Sequence, residues 1–188
     1  MNHVQKIKTL FVTVGSTKFE QLINRILKPD LLQQLRNYGF RRIILQVGNG
    51  KHEDDDLFNF KELNFNASKN EITKFVKENI EITAYRYKSS IRDDMLNADL
   101  VISHAGSGSV MESLEANKKL IVVVNEALMD NHQLELAEKM FQEGYLLYTN
   151  CQGLTDKIDL INNSEFMLTK YLPGKPSKFY HHLQNIIN

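Results

Sequence analysis

A doubly wound, mainly parallel Rossmann-like α/β sheet is the fold class this sequence predicts, and three observations predict it. Short apolar, β-branched runs recur along the chain, several of them end on glycine or a small polar residue, and stretches of helical spacing separate them. Residues 9–14 (TLFVTV) read as the first strand, buried on both faces, and stop at Gly15 and Ser16. Thr17 and Glu20 form a T-x-x-E capping pattern for a helix carrying Phe19, Leu22, Ile23, Ile26 and Leu27. Pro29 interrupts that period, so the helix kinks or restarts there before Gly39 closes it. Residues 42–47 (RIILQV) are the second strand. Residues 49–80 are rich in Asn, Lys and acids, with Phe58, Phe60, Leu63 and Phe65 as scattered anchors, and read as a polar excursion of undetermined fold.

Residues 80–87 are a third strand, and Ser90 with Asp93 opens a short helix. Residues 100–103 (LVIS) are the fourth strand, leading through His104–Ser109 into a helix from about Val110, and residues 120–124 (LIVVV) are the fifth. Asp130 caps a helix ended by Gly144, and residues 145–148 form a sixth strand. The expected domain covers 1–163, and 164–188 form a C-terminal segment. In it Pro173–Pro176 precede an amphipathic helix with Phe179, Leu183 and Ile187 at four-residue spacing. That helix packs on its own domain or docks on a partner.

Composition limits the functions. At 42% hydrophobic and 24% charged residues the chain is a globular protein, not a disordered one. Lys plus Arg equals Asp plus Glu at 23 each, so no overall field favours nucleic acid or an anionic membrane. Cys151 is the only cysteine, which excludes internal disulfides and suits a reducing compartment. No apolar run reaches the ~20 residues of a membrane helix. The run after Lys6 and Lys8 is too short for a leader, so the whole chain is expected in the mature protein.

In a doubly wound sheet ligands bind outside the carboxyl ends of the strands. The loops expected there carry Gly15-Ser16-Thr17, His104 to Ser109, and Asp130-Asn131-His132-Gln133. Gly106 and Gly108 let backbone N–H groups approach an anion, the following helix start favours phosphate, and Ser107 and Ser109 add hydroxyls. Such a site holds a diphosphate with no metal and no cofactor. Plainer readings stand beside this one. Ser109 with Glu112 and Asp130 with Gln133 match capping boxes, His104 suits a structural histidine, and His52 to Asp56 read as a solvated charge run more readily than as a metal site. No P-loop motif is present. Gly106-x-Gly108 with Glu126 about twenty residues on is a fragment of a dinucleotide fingerprint, but Met111 stands at its third glycine position.

Residues 103–140 (SHAGSGSVMESLEANKKLIVVVNEALMDNHQLELAEKM) resemble the donor-binding signature of B-type, two-domain glycosyltransferases. With VTVGSTKFEQLI near the start, they resemble more narrowly the catalytic subunits of the eukaryotic UDP-N-acetylglucosamine transferase of asparagine-linked glycosylation. The resemblance implies the donor-binding half of a B-type enzyme, transferring N-acetylglucosamine from UDP-N-acetylglucosamine to N-acetylglucosaminyl-diphosphodolichol with inversion. It implies a soluble chain, recruited to the cytosolic face of the endoplasmic reticulum by a membrane-anchored subunit that supplies the acceptor side. By similarity, Gly15, Ser16 and Gly106 to Ser109 face the diphosphate, His104 approaches a phosphate oxygen, Glu112 accepts the ribose hydroxyls, and His132 and Gln133 reach the sugar. The general base is unassigned. Two other classes remain open on the residues alone: an NAD(P)-dependent oxidoreductase using Gly106, Gly108 and Glu126, and a non-catalytic nucleotide-sugar-binding regulatory protein.

Overall fold

The computed structural model describes residues 7–49, 72–125 and 131–172, and of 131–133 only the backbone path. Seven strands form one sheet in the order β3-β4-β2-β1-β5-β6-β7. β1 (Lys8–Thr13), β2 (Phe40–Gln46), β4 (Ile80–Tyr85), β5 (Leu100–His104), β6 (Leu120–Val123) and β7 (Leu147–Thr149) run parallel, and only β3 (Thr73–Lys77) is antiparallel, on β4. The expected mainly parallel, doubly wound sheet is thus present.

Side chains alternate across each strand, and the two faces bury separate clusters. Leu10, Val12 and Val14 join α1 (Glu20–Ile26), α2 (Pro29–Asn37) and α6 (Leu154–Asn162) through Leu22, Ile23, Leu31, Leu35, Leu154 and Ile158. On the other face, Phe11, Val101 and Val122 meet α3 (Arg92–Asn97), α4 (Ser107–Glu115) and α5 (Asn131–Gln142) through Met95, Val110, Leu114, Ala137 and Met140. Each fully buried Leu, Ile or Val contributes ~1.5–3 kcal/mol relative to exposure, so the apolar strand runs supply most of the driving force for this layering.

Several local expectations change. Pro29 is the first residue of α2, so the helix restarts there. The excursion expected over 49–80 contains β3, which returns into β4 through Glu78 and Asn79, both at positive φ; its charged run His52–Asp56 lies outside the described residues. Thr17 does not cap α1: its hydroxyl donates to the Val14 carbonyl (2.8 Å), and Phe19 stands at the N-cap. Ser90 does not cap α3 either; Ile91 is the N-cap, and Ser90 Oγ accepts from the Arg92 N–H (3.2 Å). The expected sixth strand is β7, displaced to Leu147–Thr149. After α6, Phe166 and Leu168 pack on the first cluster, while residues 173–188, with the expected C-terminal helix, lie outside the described residues. Among the described residues, no helix is long and apolar enough to cross a membrane.

Candidate functional site

The strand order reverses between β1 and β5: the chain winds outward through β2 and β4, then crosses back to continue through β5, β6 and β7. That crevice is where a doubly wound sheet binds ligands. The residues that follow β1 and β5 meet there.

The turn after β1 is held from below. Gly15 sits at φ +58, its N–H donating to Thr13 Oγ1 (3.1 Å), and Thr13 Oγ1 itself donates to Gln46 Oε1 on β2. Asn49 of the neighbouring turn holds the same loop through its backbone N–H on the Thr17 carbonyl (3.0 Å) and its Nδ2 on the Ser16 carbonyl (3.1 Å). Gly15 therefore spends its donor internally. Ser16 is exposed, and its N–H and hydroxyl donate to no other described residue.

The His104 ring closes the other side, packed against both glycine turns. A Cβ on Gly15 would stand 2.7 Å from His104 Cε1, and one on Gly106 2.2 Å from His104 Nε2. These two glycines make room for an imidazole. Gly108 differs, because a Cβ there would meet nothing within 4 Å. Burial holds the His104 pKa below the ordinary histidine value, with the Thr13 backbone pulling weakly the other way. Its buried Nδ1 makes no hydrogen bond to another described residue.

α4 begins at Ser107, three residues earlier than the glycine-serine pattern suggests, with Gly106 at the N-cap. Ser109 is therefore the third helical residue and cannot be an N-cap, which removes the Ser109–Glu112 capping box. No side chain caps this helix, and the first intrahelical bond is Val110 N–H to the Gly106 carbonyl (3.1 Å). The backbone N–H groups of Ser107, Gly108 and Ser109 are left open. Charge follows the same pattern. α1, α2, α3 and α6 each carry an acidic residue in the first turn, whereas α4 and α5 carry none. An open helix N-terminus without its own carboxylate favours an external anion by ~0.3–1 kcal/mol at an exposed site, more where partly buried.

Glu112 lies one turn further along α4, exposed, its carboxylate making no hydrogen bond or ion pair to another described residue. His132 and Gln133 fall in the first turn of α5, whose start stands at the same rim because α5 follows β6; their side chains, with Asp130 and Glu126, lie outside the described residues. The structure thus brings together Gly15, Ser16, His104 and Gly106 to Ser109. Thr13 and Gln46 are residues that sequence reasoning passed over. Their only signal is a polar side chain that ends the apolar run of each strand.

Residues 9–178 match the glycosyltransferase family 28 C-terminal domain. The chain is 44% identical over 149 residues to the Homo sapiens UDP-N-acetylglucosamine transferase subunit ALG13, across 79% of this chain but only 12% of that protein. It is 35% identical over 162 residues to the Yarrowia lipolytica protein of the same name, across 86% of this chain and 72% of that protein. Its fold is similar to the NMR solution structure of ALG13 (TM-score 0.66, 26% identity, 97% of this chain and 98% of that one). It is also similar in fold to the glycosyltransferase SnogD of Streptomyces nogalater (TM-score 0.56, 14% identity, 87% of this chain and 37% of that one). The chain belongs to the family of glycosyltransferase family 28 C-terminal domains, among the relatives that bear the name ALG13.

Proposed function

We propose that this chain is the donor-side catalytic subunit of an inverting glycosyltransferase. The reaction moves N-acetylglucosamine from UDP-N-acetylglucosamine to N-acetylglucosaminyl-diphosphodolichol, the second sugar step of lipid-linked oligosaccharide synthesis. The observation that carries the reading is the uncapped, acid-free N-terminus of α4 at the sheet's switch point, with the preceding His104 ring packed against the Gly15 turn of β1 across it. Ser16 and Gly106 to Ser109 hold the diphosphate, and Glu112 takes the ribose hydroxyls. His132 and Gln133, by their place in the first turn of α5, serve the sugar.

The chemistry follows from that arrangement. An acceptor hydroxyl attacks the anomeric carbon, the bond to the UDP oxygen breaks, and negative charge grows on the leaving diphosphate. Fixed N–H dipoles aimed at that charge stabilise it without reorganising. Burial keeps His104 neutral near pH 7, so it orients a phosphate oxygen by hydrogen bonding, and the helix start supplies the positive potential. No described side chain is assigned as the base that takes the acceptor proton.

The described residues build one Rossmann-like sheet, and the relatives are named as subunits. Both support a second, membrane-anchored subunit that brings the lipid diphosphate acceptor and recruits this chain to the cytosolic face of the endoplasmic reticulum, with residues 164–188 contributing to docking. The test is reconstitution with such a subunit, UDP-N-acetylglucosamine and a lipid diphosphate acceptor. Sugar addition by the pair, lost in Glu112→Ala, supports the proposal. Tight NAD binding with no UDP binding would favour the oxidoreductase, and transfer indifferent to donor-loop variants would favour a regulatory role.

A further inference from the structure

Two buried side chains lie beneath the ligand-facing loops and connect to one of them. Thr13 and Gln46 end β1 and β2, pair in register, and are 0% and 6% exposed. A threonine hydroxyl has one proton to give and two lone pairs. Here the proton goes to Gln46 Oε1, which turns a lone pair toward the Gly15 N–H at 3.1 Å. The relay is directional: Gly15 N–H to Thr13 hydroxyl to Gln46 amide oxygen. At its upper end stands the glycine whose Cα walls the His104 ring, followed by the exposed Ser16.

We infer that Thr13 and Gln46 are positioning residues, which fix the Gly15 turn and through it hold the His104 imidazole and Ser16 in line with the α4 N-terminus. Both are buried beneath the loop rather than on its exposed face. Without the hydroxyl, the Gly15 N–H loses its acceptor, the positive-φ turn loses its anchor, and the ring resting on it moves. A displacement of ~1 Å in a group that orients a reacting phosphate costs on the order of a hundredfold.

The test uses the full chain and three variants: Thr13→Val, isosteric but without the hydroxyl; Thr13→Ser, which restores it; and Gln46→Met, which keeps the length of the side chain but removes the amide that accepts from Thr13. Amide NMR spectra verify folding. The first readout is the His104 imidazole resonances in the free chain, assigned with His104→Gln. The second is UDP affinity by calorimetry. Thr13→Val and Gln46→Met are expected to shift the imidazole resonances and weaken UDP by about tenfold to a hundredfold, and Thr13→Ser to restore both. A folded Thr13→Val with wild-type imidazole resonances and wild-type UDP affinity overturns the inference. If Thr13→Val does not fold, wild-type values in Gln46→Met overturn it instead. The affinity arm rests on the proposed donor site. Should the unmodified chain bind no UDP, that reading fails on its own, and the imidazole resonances alone decide the relay.

Discussion

The amino rim of the sheet and the start of α4 at the carboxyl rim treat helix ends in opposite ways. Because each helix of a βα unit runs back antiparallel to its strand, helix C-termini gather at the amino rim and helix N-termini at the carboxyl rim. At the amino rim the chain neutralises its own carbonyls. Lys118 Nζ donates to the carbonyls of Leu96 and Ala98 at the end of α3, and Lys119 Nζ to the carbonyl of Ile161 in the last turn of α6 (2.9 Å). Asp99 accepts from the Thr9 N–H (2.9 Å) beside them. At the carboxyl rim the start of α4 has no such compensation among the described residues: no side chain caps it and no acidic residue lies in its first turn. At the amino rim these helix ends are finished by intramolecular bonds; at the start of α4 the backbone N–H groups are left open among the described residues.

The strongest way to break this contrast is at the glycines. Gly106→Ala places a methyl 2.2 Å from His104 Nε2, so the ring must move or the turn must open. Overpacking of this kind costs ~1–3 kcal/mol of stability, and UDP affinity should fall by more than a hundredfold if His104 sets the phosphate geometry. Gly108→Ala is the paired control. Its Cβ meets open space, so the melting temperature should not fall. Calorimetric titration then asks whether a ligand fills that space: affinity lost in Gly108→Ala with stability retained places the nucleotide against the helix start.

Glu112→Gln is the next largest effect expected. The carboxylate holds nothing among the described residues, so folding is indifferent to it, while two charge-assisted bonds to ribose would be weakened. Transfer by the reconstituted pair should fall about tenfold to a hundredfold, at ~1.5–3 kcal/mol per charged hydrogen bond, with an unchanged unfolding curve. Wild-type turnover would remove Glu112 from the site. Lys118→Met inverts the pattern at the other rim. It keeps an apolar stem but removes the ammonium from two carbonyls, so urea unfolding should show a loss of about 1–2 kcal/mol while UDP affinity stays constant.

How much of each rim was legible in the sequence follows from what the residues are doing. The parallel strands announce themselves because burial on both faces demands uninterrupted apolar runs, as in residues 120–123. β3 does not. As an edge strand it leaves Val76 exposed and carries Lys74 and Lys77 among its five residues, and its turn uses Glu78 and Asn79 at positive φ where glycine would be the usual signal. α6 offers only Leu154, Ile158 and Ile161 within one short helix after Gly153, too brief a period to register. At the candidate site, the glycine-serine loop was readable as a place for an anion, but the S-x-x-E pattern pointed to Ser109 as the cap of a helix from about Val110, when α4 begins at Ser107. That Gly15 clears space for His104 is a three-dimensional fact between residues about ninety apart, and no spacing rule contains it.

The smallest effect concerns the buried imidazole itself. His104 has its pKa lowered by burial, so the folded chain binds its proton less readily than the unfolded chain does. Above the unfolded value of about 6.5 the ring is neutral in both states and costs nothing. As pH falls below that value, the unfolded state gains a proton that the native state resists, and stability declines until the folded pKa is reached. The contribution is therefore present at neutral pH and lost toward acid, by at most one proton's worth of slope. Urea midpoints measured from pH 7.5 down to 5.5 should fall more steeply in the wild type than in His104→Gln. Parallel curves would mean that the ring charges freely in the folded chain, and that the wall built by Gly15 and Gly106 admits water to the nitrogen the structure leaves without a partner.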